Sequence, residues 1–119
     1  MEAADNLKWE WPDELDALKA APLYHKLLFE NDLVRVIDAF IPAGETTEVH
    51  THRWPASLYV ISWSTFIRYD ADGNEIFNSR NMSATIQPGT ALWSEPLAPH
   101  ALKNTGTDAL HIISVEIKK

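Results

Sequence analysis

Cysteine is missing altogether from this chain, so neither a disulfide frame nor a thiolate nucleophile or metal ligand can be built. Glycine is scarce, with four in 119 residues, and neither a phosphate-cradling P-loop nor a GxGxxG dinucleotide turn occurs. The GxSxG pattern of a nucleophilic serine is absent too. No apolar run approaches the roughly 20 residues that cross a bilayer as a helix. The opening stretch MEAADNLKWEWPDEL is acidic and lacks the positive end and apolar centre of a secretory signal, so a cytoplasmic protein is expected. Basic residues are in deficit, ten Lys and Arg against seventeen Asp and Glu. The resulting net charge of −7 argues against nucleic acid and against anionic membrane surfaces as partners.

What is present is apolar enough to fold alone, since 45% of the residues are hydrophobic and the length matches one domain. PDELDALKAAP, residues 12–22, has the signals of a short helix: Pro12 at the first position, acidic residues at the positive end of the dipole, Lys19 at the other and Pro22 as a stop. Leu15, Leu18 and Ala21 would form its apolar stripe. After Leu27 to Phe29 the texture becomes that of strands. LVRVIDAFIP, TEVHTH, SLYVISWSTFIRY, EIF, MSATI, TALWSE, HALKN and ALHIISVEI are separated by turn residues, among them the hairpin pair Asp72 and Gly73. Seven or so short strands with no βαβ alternation predict an all-β antiparallel sandwich or small barrel. Residues 1–30 are set apart as an N-terminal segment with a short helix, and residues 31–119 as the β domain.

Only five histidines are available, yet GETTEVHTHRWP places His50 and His52 one residue apart. On a strand such positions face the same way, so their imidazoles converge. His100 opens HALKN just after EPLAP, where a strand would begin near a loop. Three imidazoles from two strands can hold a divalent ion and leave a coordination position open for water or substrate. Imidazole suits iron, nickel, copper and zinc, so the residues do not choose among them.

These residues carry a resemblance to the cupin superfamily. Gly44, His50 and His52 match the spacing of its first motif, a glycine, five residues, then histidine, any residue, histidine. His100 and Asn104 match the end of its second motif, with Pro96 and Pro99 keeping its proline character. The match spans about residues 33–117. The glutamate that commonly follows as a fourth metal ligand is absent, with Ala56 and Ser57 in its place, and Trp63 and Leu97 stand where the family has glycines. The resemblance implies a cupin jelly roll with a three-histidine site, as in some dioxygenases that cleave β-diketones or oxidise thiols and in cupins with no known activity. It also implies a homodimer, since single-domain cupins often pair.

The expected function is therefore metal-assisted chemistry on a small organic molecule, foremost a non-haem iron-type dioxygenase with His50, His52 and His100 as ligands. A non-catalytic binding module and a metal-dependent isomerase or lyase are the alternatives. Trp54, Trp93 and Ser57 are expected to line the substrate pocket. Trp63 reads as core packing, and Trp9 and Trp11 as docking residues for the helix or a second subunit. His111 reads as a hydrogen-bonded core histidine, His25, outside the barrel match, as a surface or packing residue, and Glu95 as a solvated rim charge.

Overall fold

The computed structural model describes residues 9–118. Among these residues nine strands form two antiparallel sheets: β1 (His25–Glu30), β2 (Val34–Ile41), β3 (His50–His52), β4 (Ala56–Ser62), β5 (Phe66–Asp70), β6 (Glu75–Asn78), β7 (Ala91–Ser94), β8 (Leu97–Asn104) and β9 (Leu110–Ile117). One sheet runs in the order β1-β2-β9-β4-β7 and the other β3-β8-β5-β6. Facing sheets with alternating inward side chains are the solution expected for short, amphipathic strands. The core is built from Ile41, Val60, Phe66, Leu110 and Ile112, drawn from both sheets, with Trp63 packed against it.

Several local expectations are revised. Residues 12–22 do not form one helix: Asp13–Leu15 is a 3₁₀ turn, and a single helical turn, α1 (Ala17–Ala20), follows a break at Asp16. Asp16 is extended there, with its carboxylate accepting from the Leu18 N–H and pairing with Arg35 of β2, so a tertiary ion pair overrides helical propensity. Ala17 and Ala21, four residues apart, are the buried stripe of this segment. The run expected as one strand over 57–69 is divided between β4 and β5 at Trp63–Thr65. MSATI forms no strand. β1 lies inside the segment set apart as residues 1–30 and pairs along its length with β2, so the sheet begins at His25.

The turn signals fare better. Gly73 follows Asp72 in the β5–β6 hairpin with φ +89, a backbone state that only glycine adopts cheaply. Asn104 is completely buried at the end of β8. Its amide donates to the Ile41 and Asp108 carbonyls, and its Oδ1 accepts from Ser64 Oγ and the Gly106 N–H. One side chain thus joins the ends of β2, β8 and β9 with the β4–β5 turn. A Cβ at Gly106 would collide with Ser64 Oγ and lie 3.1 Å from the Thr65 nitrogen, so glycine is required there by close approach.

Candidate metal centre

The site is assembled from both sheets. His50 of β3 sits directly opposite His100 of β8 in the antiparallel pair, and their ring centroids are 4.4 Å apart. His52 lies 5.0 Å from His50 and 5.7 Å from His100. The structure thus places the rings of His50, His52 and His100 beside one another.

The fourth imidazole is the correction. His25, assigned by sequence to the surface or to packing, is 6% exposed and stands 4.7 Å from His50 and 5.3 Å from His52. One ring nitrogen of each of His25, His50 and His52 lies within 4.8 Å of the other two. That is close to the roughly 4.2 Å between nitrogens on opposite sides of an ion with bonds of about 2.1 Å. Among the described residues this is the trio that meets the separation, while His100 flanks it beside His50.

The outer contacts decide which nitrogen faces inward. His25 Nδ1 donates to the Ala21 carbonyl at 3.0 Å, His50 Nδ1 to the Glu48 carbonyl at 2.8 Å and His100 Nδ1 to the Ala98 carbonyl at 2.7 Å. A carbonyl only accepts, so Nδ1 carries the proton and the lone pair of each neutral ring is left on Nε2. His52 Nδ1 meets the carboxylate of Glu116 at 3.3 Å with the same consequence. This is the arrangement that fixes tautomer and ring orientation in metal-ligating histidines.

Burial keeps three of these rings uncharged. It lowers the pKa of His25 to about 4, of His50 to about 2 and of His100 to about 3, with the neighbouring imidazole of His52 as the next cause in each. Neutral imidazoles with Nε2 free form a donor set that fits a first-row divalent ion.

Glu116 supplies an acidic group that sequence reading did not place. It is wholly buried on β9, Cα partner to Ala56 of β4, one of the two positions where the cupin glutamate is missing. Its carboxylate accepts from Arg35 Nε at 2.8 Å as well as facing His52, and Arg35 in turn holds Asp16 through two nitrogens. A chain of charge-assisted contacts thus runs from α1 to the site. The ring of Trp54 lies 5.0 Å from the Arg35 guanidinium.

The imidazoles lie in the wall of a cavity of about 400 Å³, whose other walls include core residues Ile41, Phe66, Leu110 and Ile112. Trp54 and Trp93 line it as expected, and so does Trp63. Trp93 is 58% exposed and donates from its indole nitrogen to Glu95 at 2.6 Å, which places this pair at the rim. Ser57 is on the outer, exposed side of β4, while its neighbours Ala56 and Leu58 line the cavity, so Ser57 does not belong to the pocket wall. His111 is on the outer side of β9, bonded to Asp38 at 2.8 Å, and takes no part in the site.

A cupin domain from Bordetella pertussis Tohama I superposes with a TM-score of 0.63 at 16% identity, over 80% of this chain and 92% of that one. The chain has the cupin fold. An RmlC-like cupin with a double-stranded β-helix from Methanocaldococcus jannaschii matches this chain with a TM-score of 0.53 at 14% identity, over 94% and 90% of the two chains. Neither a protein-family model nor a curated protein sequence matches. No helix among the described residues is long and apolar enough to cross a membrane.

Proposed function

We propose that this cupin binds one divalent transition metal through His50 and His52 with His25 and His100, and acts on a small organic molecule in the adjoining cavity. The observation that carries the reading is the set of four imidazoles whose Nδ1 atoms are all engaged by acceptors, leaving four Nε2 lone pairs beside an apolar pocket. Iron, nickel, copper and zinc all suit this donor set. A bound ion would supply Lewis acidity and, if it is iron or copper, redox chemistry with O₂.

The chain's own residues do the rest. The carbonyls of Ala21, Glu48 and Ala98 and the Glu116 carboxylate hold the rings in one orientation. Trp54, Leu58 and Trp63 line the pocket and limit water in it, and Trp93 with Glu95 frames its rim. With no carboxylate ligand in the trio, the site favours an anionic chelating group such as an enolate or carboxylate. A dioxygenase reaction, in which both atoms of O₂ enter the product, needs no external reductant and is the activity this reading places first. A homodimer belongs to it as well, supported by Leu27, Leu28 and Phe29, which leave the edge strand β1 apolar and exposed.

The test is turnover of iron-loaded protein on a panel of β-diketones, thiols and keto acids, under argon and then with O₂ admitted. O₂ uptake matched to product supports the dioxygenase. Turnover under argon would replace it with an isomerase or lyase, and saturable binding without turnover in either gas would replace it with a binding module.

A further inference from the structure

Arg68 projects from β5 into the same cavity, where no counter-ion for it is found among the described residues. Among the described residues its side chain has no ion pair and no hydrogen bond, and its Nε is fully buried without a partner. Burial pulls its pKa below the usual guanidinium value. The two acidic side chains that line the cavity are committed elsewhere, Glu116 to Arg35 and His52, and exposed Glu95 to the Trp93 indole. A half-buried cation whose Nε is shut off from water without a partner is costly, and proteins retain such groups where something else meets them.

The surroundings say what that is. Phe66 and Phe77 have ring centroids 5.7 and 5.2 Å from the guanidinium carbon, so aromatic surface steadies the head group without using its N–H donors. The five donors of a guanidinium are coplanar and match the two oxygens of a carboxylate. Arg68 pairs across the sheet with Leu102, two residues from His100, a diagonal of about 7–8 Å that a long side chain or a small ligand spans.

We propose that Arg68 is the specificity-determining residue of the cavity, receiving the carboxylate of a small organic acid whose apolar body lies against Phe66, Leu102 and Leu92 and whose second polar group meets the imidazole cluster. The second anchor rests on the metal-site reading above. The Arg68 contact itself needs no metal.

The test is calorimetric titration of metal-free and nickel-loaded protein with three matched pairs: acetate and acetamide, hexanoate and hexanamide, benzoate and benzamide. In wild type at least one acid is expected to bind ten-fold or more tightly than its amide. In Arg68→Met that ratio falls to about one, and in Arg68→Lys, which keeps the charge and loses the fork, it falls several-fold. Nickel content, read by elemental mass spectrometry on the same samples, stays at the wild-type level in both variants. Absence of any acid preference in wild type, or a preference that survives Arg68→Met, would overturn the proposal. Protein that takes up no nickel yet keeps an Arg68-dependent preference would sink the metal reading and leave this one standing.

Discussion

At the scale of single residues, the site's behaviour follows from neutral histidines held out of water. The pKa values of His25, His50 and His100 are all lowered, to about 4, 2 and 3, against an ordinary histidine value near 6.5. Above about pH 6.5 both folded and unfolded chains carry these rings uncharged. Below it the unfolded chain takes up protons that the fold refuses, at about 1.4 kcal/mol per pH unit for each such group. Metal-free protein is therefore expected to show constant stability from pH 8 to 7 and a steep loss between pH 6.5 and 4.5, measured by urea unfolding. Stability that stays level down to pH 5 would contradict the burial of neutral imidazoles. Histidine chemistry by itself sets the loss of metal at about pH 6.5, whereas in the folded protein protons compete at these three rings only nearer pH 4.

His50, His52 and His100 were legible because a period of two and a second histidine near a strand start are local signals. His25 was not, because it reaches the site only through the pairing of β1 with β2, and nothing near it in sequence marks a ligand. Glu116 was hidden by its own strand. In ALHIISVEI the apolar set Ile113, Val115 and Ile117 reads as the inward face, yet Leu110, Ile112, Ser114 and Glu116 are the buried ones. The inner face carries a serine and a carboxylate because it borders a polar site, which is where pattern reading is expected to fail.

At the scale of elements, the β8 end shows how a motif position serves architecture. Asn104 matches the asparagine of the second cupin motif, and its four hydrogen bonds all go to the protein's own backbone and to Ser64. Asn104→Ala strands several buried partners at about 1–3 kcal/mol each. The variant is expected to lose at least ~3 kcal/mol in denaturant unfolding while keeping its metal stoichiometry where folded. A loss below ~1 kcal/mol would show that water replaces the amide readily. The β5–β6 hairpin was legible because its turn residues, Asp72 and Gly73, are local. The break at Asp16 and the division of residues 57–69 into β4 and β5 were not legible, since the first depends on Arg35 and the second on the bend that packs Trp63 onto the core.

At the scale of the whole molecule, β1 is an edge strand with Leu27, Leu28 and Phe29 each more than 40% exposed, and Leu33 beyond it is 66% exposed. Such an edge invites a second chain. Sedimentation velocity is expected to give twice the chain mass, and Leu28→Glu with Phe29→Glu to give a monomer that still binds metal. A wild-type monomer at working concentration would contradict the homodimer. This edge also carries His25 at its start, so pairing there would brace the strand that brings the fourth imidazole to the site.

The central claim is that histidines from β1, β3 and β8 hold one metal ion, and its most direct test is metal content. Tag-free protein, reloaded in turn with iron, nickel, copper and zinc, would be measured by elemental mass spectrometry beside His25→Ala and the double variant His50→Ala with His52→Ala. The account predicts about one ion per chain in wild type, a marked deficit in His25→Ala and none in the double variant. Wild-type protein that stays empty with every metal, or a double variant that retains the wild-type amount, would contradict it.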